Sequence, residues 1–359
     1  RTPRSQRRTR HRMQIQPPLR GGINASPMIL PEGHWQTLGE WAIARFGESS
    51  NDSNSILDYF TRDCFLADHN IPLTPDTPYE PGMRIWVFRP VLDEPATQIM
   101  LDVVYEDEKI LVVDKPHGMA SIPRGSHVAN TVTVAARRQF ENDALVCAHR
   151  LDLETAGLVL LTKAQEYRAA YQNLFSDRAV HKKYYAVAPM PKKDSEFESL
   201  LSATAEDGWL EVELPLYRPE GQLNVEVLAD GECELETGAT LEEKPGVNTR
   251  PKIWRSRTKL RLVKEIPADE AVLGEASSES LALYELAPET GYIHQLRVTL
   301  NYFQVPICGD PLYPRLFTKA EEAQRVFPLQ LLAHELRFVD PYSGQERCFC
   351  SRRKLFLEQ

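Results

Sequence analysis

The residues with the clearest chemical potential stand together in the run His149-Arg150-Leu151-Asp152-Leu153-Glu154-Thr155-Ala156-Gly157, which directly precedes the apolar run LVLLTK. Polar residues ahead of a buried strand usually mark a turn at the end of a sheet, where side chains can face a cleft. A carboxylate in such a cleft can act as a nucleophile or as a general base. On spacing alone a structural interpretation also stays open, in which Asp152 caps the turn, His149 is a core histidine and Arg150 pairs with Asp152.

The composition is ordinary for a soluble globular protein, with 359 residues, 42% hydrophobic and 26% charged. No apolar run is long enough to span a membrane, and the N-terminus lacks the apolar core of a secretory signal. The six cysteines show neither a CxxC pair nor the spacing of a metal site, which predicts a cytoplasmic protein without structural zinc. We interpret Cys348 and Cys350, which alternate on a predicted strand, as small hydrophobes on one face.

The net charge of -9 argues against a protein that binds nucleic acid over its whole surface. A local basic groove inside an acidic shell is compatible with that charge, because the field in a cleft depends on nearby groups. Residues 1–22 are rich in arginine and unpatterned, so we predict a disordered basic tail. It is either a solvated arm or an arm that contacts phosphates without reading sequence.

Two predicted helices at 34–46 and 54–61, followed by short strands at 64–88, indicate a small module over residues 23–95. A linker is expected at 90–98. Strands dominate from residue 99 onward and no βαβ repeat is evident, which predicts an α+β fold on a mixed or antiparallel sheet. The later predicted helices are 131–140, 164–175 and 294–303, and the later strands include 157–163, 182–188, 257–264, 281–287 and 333–339. Residues 229–252 and 265–280 are predicted surface loops.

The run HRLDLETAG resembles the HRLDxxTSG signature of the RluA-type family of pseudouridine synthases. Four other segments resemble family motifs in the family's order, and together the matches cover roughly residues 99–345: VVYEDEKILVVDKPHGM, VHKKYYAVA, TGYIHQLRVTLNYFQVPICGDPLY and LLAHELRFVDP. The resemblance implies the pseudouridine synthase catalytic fold over residues 96–359, a mixed and mostly antiparallel sheet with flanking helices and loops. The module at 23–95 faintly resembles the small αL-type RNA-binding module.

Four positions depart from the family pattern. Ala156 stands where the family usually has Ser, Tyr292 and Ile293 replace the commoner Arg-Thr pair, and Thr299 replaces a frequent His. None of these changes removes the carboxylate, but the change at Tyr292 and Ile293 affects a segment expected to contact RNA. The long 229–256 segment is an elaboration on the family pattern.

The resemblance implies an enzyme that isomerises uridine in RNA, with ribosomal RNA the first expectation and transfer RNA the second. It assigns the catalytic carboxylate to Asp152, which either attacks the anomeric carbon or takes a ribose proton on the way to a glycal. Arg297 is the expected guanidinium partner of Asp152, and Tyr184 is expected to stack on the uracil and move a proton. Tyr185 is expected in the core. No metal, cofactor or membrane association is expected. The protein is expected to be a monomer.

RNA contacts are expected at four residues, Arg150, His149, Lys115 and His117, of which the resemblance assigns Arg150. Arg150 would enter the space left when the target nucleotide flips out of its stack. Lys115 and His117 would contact phosphate or belong to a solvated turn, and His149 would orient the loop rather than act as a base. His294 and Gln295 are expected to support the loop that carries Asp152.

Two alternatives come from other classes of protein. The first is a catalytically silent RNA-binding or ribosome-assembly protein on the same fold, and the combination of Asp152, Tyr184 and Arg297 argues against it. The second is a glycoside hydrolase, which needs a second carboxylate at a suitable distance. Glu154 is the only other carboxylate in the motif, and two residues along a turn is poor geometry for such a pair.

Overall fold

A computed structural model describes the chain in seven stretches, which are residues 16–47, 53–88, 99–124, 127–204, 208–228, 252–266 and 280–358. The chain folds into two compact units. The first is Arg1–Met100 with Ile122–Asp143, and the second is Leu101–Ser121 with Ala144–Gln359. No helix within the described stretches combines the length and the apolar character that crossing a membrane demands.

The first unit combines a small antiparallel sheet with short helices. Its elements are β1 (Ser26–Ile29), α1 (Leu38–Phe46), α2 (Ser53–Thr61), β2 (Phe65–Ala67), β3 (Ile71–Pro72), β4 (Arg84–Val87) and α3 (Val132–Gln139). The strands lie in the order β1-β4-β2-β3. The helix predicted from His34 begins at Leu38, because the Thr37 side chain accepts a hydrogen bond from the Glu40 amide and caps the helix there.

Aromatic side chains form much of the core of the first unit. The rings of Phe60 and Phe65 stack with centroids 4.4 Å apart, and Trp41 meets Phe65 edge-on at 6.4 Å. Tyr79 completes this group and donates its hydroxyl to the Pro31 carbonyl. Large rings bury much apolar surface per residue, so a small module gains a core of its own from a few side chains.

The second unit is built around one large sheet. Its elements are β5 (Asp102–Glu106), β6 (Ile110–Lys115), β7 (Val146–Cys147), β8 (Ala156–Thr162), α4 (Gln165–Ser176), β9 (His181–Pro189), α5 (Glu196–Ser202), β10 (Leu210–Tyr217), β11 (Glu226–Val227), β12 (Trp254–Ile266), β13 (Leu281–Pro288), α6 (Gln295–Tyr302), α7 (Lys319–Ala323), β14 (Leu331–Val339) and β15 (Glu346–Cys350). Among the described residues the sheet has 11 strands in the order β11-β10-β12-β13-β9-β14-β8-β6-β5, with β15 beside β14 and β7 beside β8.

Strand β14 lies in the middle of this sheet, antiparallel to β9 and parallel to β8. The β8–β14 contact is the only parallel pairing among the described strands. At this contact Gly157 lies opposite Ala333 with φ +117°, and a Cβ at Gly157 would overlap the Ala333 carbonyl. Glycine is therefore required where the signature run enters β8.

The predicted α+β class with a mixed, mostly antiparallel sheet is confirmed. Strand β12 is longer than the predicted 257–264, and α5 and β10 were not predicted. Cys348 and Cys350 do share one face of a strand, but that face is exposed. Several predicted features lie wholly or largely outside the described residues, which are the tail at 1–22, the linker at 90–98 and the loops at 229–252 and 265–280. The last part of the tail, residues 16–22, is described, and Arg20 there pairs with Ile23.

Candidate active site

Most of the signature run forms the loop between β7 and β8, the signature loop, and Asp152 lies in this loop four residues before the buried strand β8. The backbone on both sides of Asp152 is held. Ser121 Oγ accepts from the Leu151 amide at 2.9 Å and donates to the Leu151 carbonyl at 3.0 Å, and Lys115 Nζ donates to the Leu153 carbonyl at 3.0 Å. The carboxylate of Asp152 therefore projects from a loop whose main chain is fixed.

The structure brings Asp152 and Arg297 together although 145 residues separate them. Arg297 Nη1 lies 3.4 Å from Asp152 Oδ2, and Arg297 projects from the first turn of α6. The Arg297 side chain is 3% exposed, whereas that of Asp152 is 28% exposed. The guanidinium is thus part of the protein interior, and the carboxylate is the member of the pair that an external molecule can reach.

A second carboxylate fixes Arg297. Asp310 accepts from Arg297 Nε at 2.7 Å and from Nη2 at 2.6 Å, which is the bidentate arrangement that orients a guanidinium most strictly. Burial alone would lower the pKa of Arg297, but the hydrogen bonds and charge of Asp310 outweigh it and raise that pKa. Asp310 also accepts from the Leu312 amide at 2.8 Å. Arg297 is therefore a fixed cation with one remaining edge turned to Asp152.

Tyr184 lies on β9, opposite Ala333 of β14. Burial raises the pKa of Tyr184, and the negative charge of Asp152 raises it further, so the phenol keeps its proton at neutral pH. The neighbouring Tyr185 contacts His334, with ring centroids 4.9 Å apart. The structure thus gathers Asp152, Arg297 and Tyr184 from three distant parts of the chain.

His294 also lies near the Asp152 carboxylate. Its Nε2 lies 3.9 Å from Asp152 Oδ2, and its Nδ1 lies 3.1 Å from the Tyr313 hydroxyl. Burial lowers the pKa of His294 to about 4, even though the Asp152 charge acts in the opposite direction. The imidazole is therefore neutral at pH 7. Its backbone has φ 55°, a left-handed conformation that ends the preceding loop and starts α6.

Within the described part of the chain, the Gln295 side chain makes no hydrogen bond to the loop that carries Asp152, so the expectation of direct support from Gln295 is wrong. Its Oε1 accepts from Thr290 Oγ1 at 2.8 Å and from the Tyr292 amide at 3.1 Å. Its Nε2 donates to Thr258 Oγ1 at 2.9 Å. These bonds tie the start of α6 to β12, and they serve the site by fixing the helix on which Arg297 stands.

Lys115 and His117 both face the signature loop. Lys115 is fully buried, and its three ammonium donors meet the carbonyls of Pro116, Met119 and Leu153 at 3.1, 2.6 and 3.0 Å. Burial lowers its pKa to about 7. His117 Nδ1 lies 2.6 Å from the Glu154 carbonyl oxygen, and burial lowers its pKa too. In this arrangement both side chains brace the loop, and Lys115 has no donor left for a phosphate.

His149 and Arg150 are adjacent but differ in environment. His149 Nε2 accepts from the Leu160 amide at 3.1 Å, and its ring stacks on Phe175 with centroids 4.2 Å apart. Burial lowers the pKa of His149 to about 3, so it is neutral at physiological pH. Arg150 is exposed at the loop surface. Of the four residues predicted to contact RNA, Arg150 is the exposed one.

Sequence reasoning missed three residues that shape this site. Ser121 holds the loop at Leu151, Asp310 holds Arg297, and Tyr313 places its ring 5.4 Å from the Arg297 guanidinium. Asp310 and Tyr313 belong to the segment GDPLY, which resembles a family motif, so the sequence did carry a signal for them. Ser121 stands in an unremarkable polar turn and offered none.

The model of the family described as RNA pseudouridylate synthase matches residues 109–302, which is more than half of the chain. The chain belongs to this family. The match spans the loop of Asp152, the strand of Tyr184 and the helix of Arg297, and it ends before Asp310.

Curated relatives narrow the family to the RluA type. The dual-specificity RNA pseudouridine synthase RluA of Vibrio parahaemolyticus is 29% identical over 252 residues, covering 69% of this chain and 82% of its own. The ribosomal large subunit pseudouridine synthase D of Xanthomonas campestris is 29% identical over 260 residues, covering 69% and 64%. The tRNA pseudouridine synthase C of Vibrio cholerae is 27% identical over 258 residues, covering 68% and 88%. The predicted RluA-type resemblance is thereby confirmed.

Proposed function

We propose that this chain converts specific uridines of structured RNA to pseudouridine, with Asp152 as the catalytic carboxylate. The observation that carries the proposal is the reachable Asp152 carboxylate 3.4 Å from an Arg297 guanidinium that Asp310 fixes in place. We propose ribosomal RNA as the first candidate substrate and transfer RNA as the second. Relatives named for each kind of RNA support keeping both.

The reaction breaks the C1′–N1 bond between ribose and uracil, forms a C1′–C5 bond, removes the proton on C5 and returns one to N1. Asp152 either attacks C1′ or takes a ribose proton, and both routes require a carboxylate with free oxygen at the sugar. The Arg297 guanidinium lies 3.4 Å from one oxygen of that carboxylate and can orient it. Tyr184 supplies a protonated phenol for contact with the ring and for proton transfer.

The target nucleotide must leave its stack before Asp152 reaches the sugar, and flipping costs a few kcal/mol. Arg150 is suited to fill the vacated space, because it is exposed two residues before Asp152. His149, Lys115 and His117 serve by holding the loop that presents Arg150 and Asp152. We further propose that residues 23–95 are an RNA-binding module and that residues 96–359 are the catalytic region. The monomeric state, the cytoplasmic location and the absence of a cofactor stay predictions.

The test is to express the native chain and Asp152→Asn in cells that lack the native copy, and to map pseudouridine in ribosomal and transfer RNA by chemical labelling. A site formed by the native chain and lost with Asp152→Asn supports the proposal and identifies the substrate. Asp177→Asn is the matched control, because it makes the same chemical change at the exposed end of α4. Identical maps for the native chain and Asp152→Asn would instead favour the silent RNA-binding protein.

A further inference from the structure

One arginine outside the family motifs bridges the two loops that carry the site. Arg325, between α7 and β14, forms an ion pair with Glu154, with Nη2 2.8 Å from Oε2. Its Nη1 donates to the Gly309 carbonyl at 3.2 Å. Both charged side chains are largely withdrawn from solvent, with Arg325 18% exposed and Glu154 13% exposed. One guanidinium therefore holds two segments that lie far apart in the sequence.

Each segment held by Arg325 carries one side of the catalytic ion pair. Glu154 follows Asp152 by two residues on the signature loop, and Gly309 directly precedes Asp310, which fixes Arg297. The position of Asp152 relative to Arg297 thus depends on how the signature loop sits against the Gly309–Asp310 segment. Among the described residues, Arg325 is a side chain that touches both.

The catalytic contact itself is loose, and this makes it sensitive to such a support. Arg297 Nη1 and Asp152 Oδ2 are 3.4 Å apart, longer than the 2.6 and 2.7 Å bonds that Arg297 makes with Asp310. A short bidentate contact holds its own geometry, whereas a long single contact takes its geometry from the surrounding backbone. Displacing a reacting group by about 1 Å can cost on the order of 100-fold in rate.

We propose that Arg325 and Glu154 are a positioning pair that sets the distance between Asp152 and Arg297. The inference rests on the proposed function, because it takes Asp152 as the catalytic carboxylate. The pair does not touch the reacting atoms, and its effect is on the rate of the chemical step. Glu154 thus has a use as a support, although its place in the motif makes it a poor second catalytic carboxylate.

The experiment compares kcat and KM of the native chain with those of Arg325→Gln, Glu154→Gln and the double variant, on unmodified ribosomal and transfer RNA transcribed in vitro. We expect each single variant to lower kcat on the order of 10- to 100-fold, with KM within about 2-fold. The double variant should be no slower than the worse single one, because residues that act as one unit are not additive. The kcat of Arg325→Lys should lie between those of the native chain and of Arg325→Gln. One ammonium reaches Glu154 or Gly309, but it does not replace the planar guanidinium fork.

Arg315→Gln is the matched control. Arg315 pairs with Glu321 in the same stretch of chain, is 64% exposed and touches neither loop, so its kcat should equal the native value. All rates are taken at a temperature where each variant is folded by circular dichroism. Three outcomes would each overturn the positioning pair and leave the proposed function intact. They are a kcat of Arg325→Gln equal to that of the native chain, a rise in KM without a fall in kcat, and additive losses of kcat in the double variant. A native chain inactive on both RNAs would overturn the proposed function and this inference with it.

Discussion

Two groups of ion pairs in the second unit use the same residue types in opposite surroundings. The Arg297 cluster, which is Arg297 with Asp310 and Asp152, is buried on its arginine and on Asp310, with side-chain exposures of 3% and 0%. The β12 ladder consists of four pairs between exposed side chains along one strand, which are Arg255–Glu213, Arg257–Glu289, Lys259–Glu211 and Lys259–Glu289. The ladder side chains are 39% to 74% exposed.

The difference shows why counting ion pairs says little about where a fold depends on them. An exposed pair contributes about 0–1 kcal/mol, because water and salt screen it and long side chains lose entropy in forming it. Removing one partner of a buried pair costs about 3–5 kcal/mol, because the other charge is left without compensation in the interior. We therefore expect the Arg297 cluster to be sensitive to single substitutions and the β12 ladder to tolerate them.

The largest effect is expected from Asp310→Asn. The amide keeps the size of the side chain but removes the charge opposite the buried Arg297 guanidinium, so we expect the free energy of unfolding to fall by about 3–5 kcal/mol. Activity should fall on the order of 100-fold, because Arg297 loses its fixed orientation. Urea unfolding measures the first effect and pseudouridine formation the second. Glu289→Gln, the same change on the ladder, is the control, and equal losses for the two would contradict the comparison.

Arg297→Lys should be the next largest effect. Lysine keeps the charge between Asp310 and Asp152 but replaces two parallel hydrogen bonds to Asp310 by one flexible contact. We expect a loss of about 1.5–3 kcal/mol in the free energy of unfolding, the size of a hydrogen bond to a charged group. On the ladder, Arg257→Lys should change almost nothing. A stability equal to that of the native chain for Arg297→Lys would show that charge alone, without the fork, holds the cluster.

The pH dependence of stability should distinguish the buried site from the exposed surface. The pKa of His294 is about 4 in the folded chain and about 6.5 in the unfolded chain. Between these values the unfolded chain binds the proton that the folded chain refuses, so the free energy of unfolding rises with pH and falls on acidification. The contribution of His294 is at most about 1.4 kcal/mol per pH unit in that window.

His294→Gln should reduce the slope of stability against pH between about 4 and 6.5, measured by urea unfolding at several pH values. The remaining slope includes His149 and His117, whose pKa values burial also lowers. The control is His181→Gln, at the exposed start of β9, which should keep the native slope. If His181→Gln reduced the slope and His294→Gln kept it, the proton responsible would not be on the buried histidine.

The smallest effect is expected on the β12 ladder itself. Lys259→Gln removes the cation that lies 2.8 Å from Glu211, and we expect a change of about 0.2–1 kcal/mol at low salt. At 1 M salt the difference from the native chain should vanish, since screening then acts over about 3 Å. A loss above about 2 kcal/mol that persists in high salt would mean that exposed pairs in this sheet behave as buried ones do.

The sequence was most informative where the site is continuous along the chain. The signature loop, β8, α4, β9 and α6 were all predicted within a few residues, because apolar periodicity and the polar run before β8 are local signals. Strand β10 was missed because only Leu214 and Leu216 of it are buried and its acidic residues face outward. Helix α5 was missed although Ser195 and Glu198 have the spacing of a capping box, and Ser195 does cap it.

The supports of the site were not predictable in the same way. Ser121, Asp310 and Arg325 act through contacts with residues 13 to 171 positions away, and no local pattern encodes such a pairing. Lys115 shows the same limit from the other side, since a lysine in a polar turn normally indicates a solvated cation. Lys115 is here among the largest fully buried side chains, and only the fold reveals that three carbonyls surround it.

The position of β14 has a consequence for how the protein is made. Strands β8 and β9 end 169 and 142 residues before Leu331, the first residue of the strand that must insert between them. Until the ribosome has released that late segment, the middle of the sheet is an open gap with two unpaired strand edges. Such edges are templates for pairing with other chains, and long-range pairing is slow. The signature loop, although encoded early, acquires its opposing strand only after that late segment has been synthesised, so we expect the nascent chain to pass through an aggregation-prone stage.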